Sequence, residues 1–374
     1  MENIVASASS QIADAGHENA PRRSPPGTFV IFGGGGDLTR RLLVPAIYNL
    51  ACAGLLDDHF SIVAVDWTDM STGQLQQNFH DALKNFVTSR GTEAVALRED
   101  VWAWMSTRIR YVRGSFEDEA TYTQLATEVG EENCIFYLAV AARFFGAIVD
   151  RLGHSGLAHE TDGMFRRVII EKPFGSDLAS AVALNARLLK SLRERQIYRI
   201  DHYLGKETVQ NILALRFSNG FFEPLWNRDN IDHIQITAAE TVGVEQRAKF
   251  YEGTGAVRDM VPNHVMQLLA MTAMEAPTSF DADAVRDEKT KVLKAIHAVG
   301  REDVVRGQYG AGTIRGESVA GYREEPGINP QSRTETYVAM KLRIDNWRWA
   351  GVPFYVRTGK RLAARKTEIA IHFK

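Results

Sequence analysis

The spacing of hydrophobic residues changes near residue 200 of the chain. Before that point, short β-branched or aromatic runs alternate with longer segments in which apolar residues recur at helical spacing. This alternation is typical of βαβ units built around a parallel sheet. The runs predict strands at residues 28–32, 61–66, 109–113, 134–139 and 167–171. We therefore expect a doubly wound α/β domain over residues 28–200.

Strict alternation of apolar and polar residues follows in the second half of the chain. It marks separate strands at residues 234–238, 338–344 and 369–373. A period of two is typical of strands with one buried face, as in an antiparallel sheet covered by helices on one side. Residues 201–374 are therefore predicted to form an α+β domain with a large antiparallel sheet. The chain stops at Lys374 inside the last strand, so we expect the sheet to be incomplete there.

The amino-acid composition argues against some classes of binding partner. The 374 residues are 45% hydrophobic, and 44 basic against 46 acidic residues give a net charge of −2. Nucleic-acid binders usually carry an excess of positive charge, which this chain does not have. The longest apolar run, residues 135–142, is shorter than the ~20 residues of a membrane helix. The two cysteines suit a reducing compartment. We expect a cytoplasmic protein with no nucleic-acid or membrane partner and a disordered lead-in over residues 1–27.

Four consecutive glycines follow the first predicted strand and precede a helix. Glycine lets the backbone approach a pyrophosphate closely, and the amino end of a helix presents N–H groups to it. The motif is an incomplete G-x-G-x-x-G, because Leu38 stands where the third glycine belongs. An ordinary tight turn is the alternative, but the position after the first strand favours a Rossmann-like dinucleotide site. The candidate coenzyme-binding residues are Gly33, Gly36, Asp37, Leu38 and Arg41.

The second predicted strand ends with Asp66, and Trp67 follows it. A carboxylate at that point can accept hydrogen bonds from both ribose hydroxyls and would repel the 2′-phosphate of NADP. The two residues therefore favour NAD as the coenzyme. The alternative is that Asp66 caps a helix or a turn, since Thr68 and Asp69 follow.

A Glu-Lys-Pro sequence ends the fifth predicted strand, at Glu171, Lys172 and Pro173. The rigid proline turn would hold Lys172 over the carboxyl edge of the sheet, where ligands bind in such folds. Lys172 could there hydrogen-bond both a sugar hydroxyl and the coenzyme. Lys-Pro turns are also common surface features, so the motif alone is weak.

The densest polar cluster of the chain spans residues 199–207. If this segment is helical, His202, Tyr203 and Lys206 share one face and form a clamp for a phosphate group. Asp201 is then rotated by about 100° from His202 and can engage another partner. Residues 187–206 contain six basic and two acidic residues, which suits an anionic substrate. The alternative is a solvated charged helix.

Two further acids and a histidine lie beyond this cluster. Glu240 follows an alternating strand, and Asp259 precedes Pro262 and His264. Proline is tolerated in the first turn of a helix, which predicts Asp259 at or near the N-cap. An imidazole titrates near neutral pH, so His264 is a candidate general base, and a nearby carboxylate would fix its tautomer. A buried histidine with a purely structural role is the alternative.

Together these motifs closely resemble the glucose-6-phosphate dehydrogenase family, from Phe29 to Lys374. The segments that carry the resemblance are the glycine turn, the Glu-Lys-Pro turn and residues 199–207, 227–230, 258–264 and 345–355. The resemblance implies oxidation of glucose 6-phosphate at C1 to 6-phosphogluconolactone, with hydride transfer to NAD or NADP. This is the first step of the pentose phosphate and Entner–Doudoroff routes. No metal site is predicted.

The resemblance also implies roles for single residues. His264 is the base, Asp201 orients it, and the cluster residues His202, Tyr203 and Lys206 hold the 6-phosphate. The residues implied to bind sugar hydroxyls are Lys172, Glu240, Asp259 and Lys360. Lys172 is also implied to border the nicotinamide.

The chain departs from the family pattern at several positions. Trp67 replaces an arginine for the 2′-phosphate, Ala141 and Ala142 replace two prolines, and Pro262 stands where a glutamine is usual. The resemblance implies that the family chain continues past Lys374 and forms homo-oligomers, so we expect this chain to be C-terminally shortened relative to the family. Two alternatives stay open: a related Glu-Lys-Pro sugar dehydrogenase, or a truncated, non-catalytic binder of a sugar phosphate or nucleotide.

Overall fold

The computed structural model describes residues 23–88, 96–314 and 316–374. The chain divides into two compact units, Met1–Ile200 and Asp201–Lys374. Residues 1–22 of the predicted lead-in lie outside the described residues. At its end, Arg23 donates to the Leu56 carbonyl at 2.8 Å, and the Ser24 N–H donates to the Leu55 carbonyl at 2.8 Å.

A six-stranded parallel sheet forms the centre of the first unit. Its strands are β1 (Thr28–Phe32), β2 (Ser61–Asp66), β3 (Ile109–Arg113), β4 (Cys134–Leu138), β5 (Arg166–Ile170) and β6 (Ile197–Arg199). Their order is β3-β2-β1-β4-β5-β6, and every pairing is parallel. Chain order reverses between β1 and β4, which is the place where such sheets bind ligands at their carboxyl edge. The Rossmann-like prediction is confirmed.

Helices cover both faces of this sheet. They are α1 (Val44–Cys52), α2 (Thr72–Thr88), α3 (Glu99–Ser106), α4 (Glu119–Val129), α5 (Phe145–His154) and α6 (Leu178–Leu188). In α2, Leu75, Phe79 and Leu83 recur every four residues and are fully buried in the core on one face of the sheet. Leu125 of α4 and Ile148 of α5 belong to the core on the other face. Because both faces are covered, β1 and β2 read as continuous apolar runs.

The second unit is built on a five-stranded mixed sheet. The strands of this unit are β7 (Ile231–Ala239), β8 (Val304–Gly307), β9 (Gly312–Ile314), β10 (Glu317–Val319), β11 (Tyr337–Leu342), β12 (Phe354–Gly359) and β13 (Lys366–Phe373). The sheet order is β13-β7-β12-β11-β8, while β9 and β10 form a separate hairpin. β12 runs parallel to β7, with Gly359 opposite Ala239. The α+β prediction is confirmed, but the sheet is not wholly antiparallel, because the long connection between β7 and β12, which contains helices and strands β8–β11, permits a parallel return.

Four α-helices accompany this sheet: α7 (Glu207–Phe217), α8 (Ala248–Met260), α9 (Met266–Ala273) and α10 (Ala282–Lys294). A π-helical turn, Val261–Val265, joins α8 to α9. Leu268 and Leu269 of α9 are buried in one core with Ile234 and Ile236 of β7. Among the described residues, none of the helices of either unit combines the length and apolar character needed to cross a membrane.

Candidate active site

The glycine turn after β1 packs closely against the neighbouring strands. Gly33 has a φ of +85°, and a Cβ there would lie 2.4 Å from the Ala139 carbonyl oxygen. A Cβ on Gly34 would lie 2.4 Å from the Cβ of Ala64. Both distances are shorter than van der Waals contact, so neither position accepts a side chain. The residues present therefore fit a dinucleotide, whose pyrophosphate needs this close backbone approach.

Asp37 and Leu38 begin the helical segment after the turn. The Gly36 N–H donates to the Gly33 carbonyl at 3.0 Å, which closes the turn. Arg41 donates to Asp37 at 3.1 Å, with the two side chains 69% and 72% exposed. Exposed pairs of this kind are worth only ~0–1 kcal/mol, so Arg41 is accessible to a phosphate. These residues stay candidates for coenzyme binding.

Asp66 is held inside the protein at the end of β2, with 6% of its surface exposed. Its Oδ2 accepts a hydrogen bond from the Gly35 N–H at 2.9 Å. Its Oδ1 accepts from the Thr68 N–H at 3.2 Å and from the Thr68 hydroxyl at 3.0 Å. The turn arrangement that the sequence left open is therefore present and ties β2 to the glycine turn. Ribose binding by Asp66 stays a prediction.

Trp67 projects at the same edge, and its side chain is 56% exposed. The indole centroid lies 5.0 Å from the ring of Phe116 and 5.9 Å from the ring of Phe144. An exposed indole supported by two phenyl rings offers an apolar surface on which an adenine ring can stack.

Lys172 follows β5 by two positions and precedes Pro173 through a cis peptide bond. The adjacent Glu171 accepts a hydrogen bond from the Tyr137 hydroxyl. Tyr137 lies at the carboxyl end of β4, and burial, then the hydrogen bond and charge of Glu171, raise its pKa well above the usual range. No sequence motif marked Tyr137 as a site residue. The only indication in the sequence was its position near the end of the strand beside β5.

Asp201 and His264 meet in the second unit although 63 positions separate them. His264 Nδ1 donates to Asp201 Oδ1 at 2.6 Å, and the side chains are 1% and 10% exposed. The Tyr203 N–H donates to the same carboxylate oxygen at 3.0 Å. Burial alone would raise the pKa of the Asp201 carboxyl, but the hydrogen bonds from His264 and Tyr203 hold it below its ordinary value of 3.8. The carboxylate therefore stays ionised and fixes the orientation of the imidazole.

The polar cluster around Asp201 forms turns at residues 202–205, so the helix on which the shared face of the three side chains was conditional is not present there. The Leu204 N–H donates to the Asp201 carbonyl at 3.0 Å, and α7 begins only after Lys206, its N-cap. The physical reason is local, because the Asp201 side chain bonds a backbone N–H two residues on, an arrangement that competes with a helix.

The three predicted phosphate-binding side chains nevertheless lie together. The Tyr203 ring stacks on the His264 ring with centroids 4.1 Å apart, and His202 meets His264 edge-on at 4.5 Å. Lys206 Nζ lies 3.6 Å from the centroid of the Tyr203 ring. The cluster therefore joins the candidate base directly to the candidate phosphate clamp.

Arg365, just before β13, and Thr367, within β13, extend this cluster, and no sequence motif marked either residue. Thr367 hydrogen-bonds to Tyr203, whose pKa is raised mainly by burial. Burial and then the charge of Arg365 lower the pKa of Lys206. Each of the two cations disfavours the charged form of the other, so a bound anion would stabilise both charges. The available signal was the basic run from Lys360 to Lys366.

The other candidate sugar-binding residues of this unit, Glu240, Lys360 and Asp259, each have a charged partner. Lys360 Nζ donates to Glu240 Oε2 at 2.6 Å, and the lysine is 6% exposed. Asp259 is 4% exposed, and its carboxylate lies 3.6 Å from the Arg247 guanidinium. The N-cap position predicted for Asp259 is wrong, because the residue lies in the last turn of α8. The wider π-helical turn that follows accommodates Pro262 without an intervening cap.

Asp201, His202 and His264 also bring nitrogen and oxygen atoms within 4.8 Å of one another, the spacing of a possible metal site. We interpret them as an acid–base group, because the short bond between Asp201 and His264 already pairs two of the three.

Among the described residues, the buried Asp201 Oδ2 has no hydrogen-bond partner, so the carboxylate relies on its Oδ1 contacts.

Sequence comparison identifies both units. Two family models match, described as "Glucose-6-phosphate dehydrogenase, NAD binding domain" over residues 30–211 and "Glucose-6-phosphate dehydrogenase, C-terminal domain" over residues 213–374. The chain is 47% identical over 358 residues to glucose-6-phosphate 1-dehydrogenase of Aggregatibacter actinomycetemcomitans, covering 92% of this chain and 71% of that protein. It is 45% identical over 353 residues to the Zymomonas mobilis enzyme, covering 93% and 70%.

Solved structures agree with the sequence comparison. The Mycobacterium avium glucose-6-phosphate 1-dehydrogenase superposes with a TM-score of 0.82 at 39% identity, covering 94% of this chain and 72% of that one. A glucose-6-phosphate dehydrogenase in complex with its substrate glucose-6-phosphate superposes with a TM-score of 0.84 at 33% identity, covering 95% and 73%.

Proposed function

The chain belongs to the glucose-6-phosphate dehydrogenase family, and we propose that it oxidises glucose 6-phosphate at C1 to 6-phosphogluconolactone, with hydride transfer to a nicotinamide coenzyme. The observation that carries the proposal is the 2.6 Å hydrogen bond from His264 to Asp201. A buried imidazole oriented by an ionised carboxylate is the arrangement that general-base removal of a hydroxyl proton requires.

The dyad supplies the proton chemistry. Asp201 accepts a hydrogen bond from the Nδ1–H of His264, so the lone pair of the neutral imidazole is on Nε2. His264 Nε2 takes the proton of the C1 hydroxyl while the electron pair of the C1–H bond leaves as hydride. The nicotinamide coenzyme, when bound, accepts that hydride. The Asp201 carboxylate then stabilises the imidazolium, because its low pKa keeps it charged.

The cluster beside the dyad binds the 6-phosphate. Lys206, His202 and Tyr203 hold it, and Arg365 adds a second cation at the same place. Burial and Arg365 lower the pKa of Lys206, so a phosphate dianion there would favour its charged form and gain a strong ion pair. Because Tyr203 stacks on the base, phosphate binding also places the sugar relative to His264.

The sugar hydroxyls are bound by a mixture of acceptors and donors. Glu240 and Asp259 offer carboxylate oxygens, and Lys360 and Lys172 offer ammonium groups. The ion pair between Glu240 and Lys360 holds both side chains in place before the sugar arrives. Such preorganisation lowers the ordering cost of binding.

NAD is the preferred coenzyme. Trp67 presents an apolar surface at the end of β2, and the neighbouring Asp66 and Asp69 are both acidic. A 2′-phosphate brought to this edge would meet negative charge, whereas the hydroxyl of NAD would not. The adenine ring stacks on Trp67.

A mutant pair tests the dyad. His264→Asn should lower kcat by about 10²- to 10⁴-fold with little change in the KM for glucose 6-phosphate, because the base is lost. Asp201→Asn should give a comparable loss, and the double variant should fall little below either, since the two residues act as one unit. Reduced-nicotinamide absorbance with glucose 6-phosphate, run separately with NAD and NADP, measures all three.

His297→Asn is the matched control, because His297 is also paired to an aspartate, at 3.3 Å, but is 57% exposed. Normal turnover by His264→Asn would exclude it as the base. Equal activity on glucose and glucose 6-phosphate would favour a related sugar dehydrogenase without a phosphate clamp. Ligand binding by calorimetry without any reduced nicotinamide would favour a non-catalytic binder.

A further inference from the structure

The end of β3 is fastened to the turn that follows β2. The Gly114 N–H donates to the Asp66 carbonyl at 3.0 Å. The Tyr111 hydroxyl contacts the carbonyls of Thr68 at 2.6 Å and Asp66 at 3.1 Å. Strand register places Arg113 directly opposite Asp66, so its side chain leaves the sheet at the same edge. Neither the sequence motifs nor the family resemblance assigned a role to Arg113.

Arg113 is the cation that balances a small acidic group at this edge. Its Nη1 donates to Asp69 Oδ1 at 2.7 Å, and the two side chains are 57% and 81% exposed. Burial and then the charge of Asp66 raise the pKa of Tyr111 to about 12, and the charge of Arg113 opposes them. The electrostatic environment is therefore net acidic, with one guanidinium that an exposed aspartate holds only loosely.

We propose that Arg113 determines how much NADP this enzyme accepts, by exchanging Asp69 for the 2′-phosphate of the coenzyme. This inference rests on the proposed function and extends its coenzyme site. A guanidinium binds phosphate oxygens through two parallel N–H groups, which makes a 2′-phosphate a suitable replacement for the carboxylate. Asp66 and Asp69 oppose the same phosphate, so NAD is preferred while NADP activity persists through Arg113.

Three variants test the proposal through the ratio of kcat/KM with NADP to kcat/KM with NAD. Arg113→Ala should lower this ratio about tenfold, because a charge-assisted contact made only by the 2′-phosphate is lost. Asp69→Asn should raise it by a similar factor, since the guanidinium no longer has a competing anion. Arg113→Lys should fall between the parent and the alanine variant, because it keeps the charge without the planar fork.

Arg110→Ala is the matched control, since Arg110 lies on the same strand in an exposed pair with Glu128 at 3.0 Å. It should leave the ratio unchanged. A ratio for Arg113→Ala equal to that of the parent would overturn the proposal.

Calorimetry with adenosine 2′,5′-bisphosphate and with ADP gives a readout that needs no turnover. Arg113→Ala should weaken the first ligand about tenfold relative to the second. Equal losses for both ligands would overturn the proposal, because Arg113 would then act on the part that the ligands share. Absence of turnover with either coenzyme would contradict the proposed function, but it would leave this binding comparison intact as a test of Arg113.

Discussion

The candidate ligand-contacting groups of the two units are held in place by different physical means. In the first unit the backbone determines the site: Gly33 and Gly34 lie so close to Ala139 and Ala64 that a Cβ would clash. In the second unit, buried polar and charged side chains determine it, in pairs such as Asp201 with His264. The first site should therefore respond to added volume and the second to altered charge.

Lys206→Gln should produce the largest separation between the two units. It removes a cation from the phosphate cluster, so we expect the KM for glucose 6-phosphate to rise about 10²-fold. The KM for the coenzyme should stay near its parent value. Initial-rate kinetics with both substrates varied measure the two constants. Lys294→Gln, an exposed lysine at the end of α10, is the control. A parallel rise in both constants would contradict the comparison.

Gly34→Ala should give the opposite result with a smaller effect. The new Cβ would lie 2.4 Å from the Ala64 Cβ, so the glycine turn must shift. Overpacking of this kind costs about 1–3 kcal/mol, which predicts a coenzyme KM about tenfold higher or more. The KM for glucose 6-phosphate should not change. Gly73→Ala in α2 is the control, because its Cβ would meet only one atom, at 3.9 Å.

Tyr137→Phe tests the turn at Glu171 and Lys172, because Lys172 is proposed to contact both the sugar and the coenzyme. Loss of the hydroxyl leaves the Glu171 carboxylate without its donor, so the backbone at Lys172 should be less well positioned. We expect kcat/KM to fall about three- to tenfold for both substrates, the effect of one lost hydrogen bond. Tyr198→Phe, an exposed tyrosine on β6, is the control. A lower melting temperature with unchanged kinetics would show that Tyr137 is only structural.

The smallest expected effect is a pH dependence of stability that belongs to the second unit. The folded-state pKa of Asp201 is below 3.8, its ordinary value, so its contribution is complete above 3.8 and is lost as pH falls through the folded pKa. The difference in unfolding free energy between the parent and Asp201→Asn should therefore shrink only in acid. Denaturant titrations from neutral pH down to about pH 3 measure it. The loss of unfolding free energy caused by Gly34→Ala should stay constant over the same pH range.

The sequence predicted the strands well, because hydrophobic periodicity is a local property. All five strands predicted before residue 200 are present within one residue of their expected bounds. Pairing between distant strands is not local: the sheet was predicted to be antiparallel, but β7 pairs in parallel with β12, a strand that the pattern did not predict.

Site residues were predictable where a motif marked them and not elsewhere. Asp201 and His264 were both expected, but their contact depends on the packing of a turn against a π-helical segment. Tyr137 contacts Glu171 on the neighbouring strand segment and Arg113 contacts Asp69, but neither residue lies in a motif. The helical form considered for residues 199–207 is absent because a side-chain bond of Asp201 favours turns. The cap predicted at Asp259 is wrong because a π-helical turn continues the helix.

The parallel pairing of β7 with β12 determines when during folding Glu240 and Lys360, which we propose bind the sugar, can come together. Ala239 and Gly359 are partners in register, so Glu240 and Lys360 leave the sheet at the same end and meet across 120 positions of sequence. A reversed β12 would place Lys360 at the far end of the strand. Because contacts so distant in sequence form slowly, we expect the histidine–aspartate pair to assemble from a shorter loop before this ion pair forms. Time-resolved refolding should then show sugar recognition maturing after the base is in place.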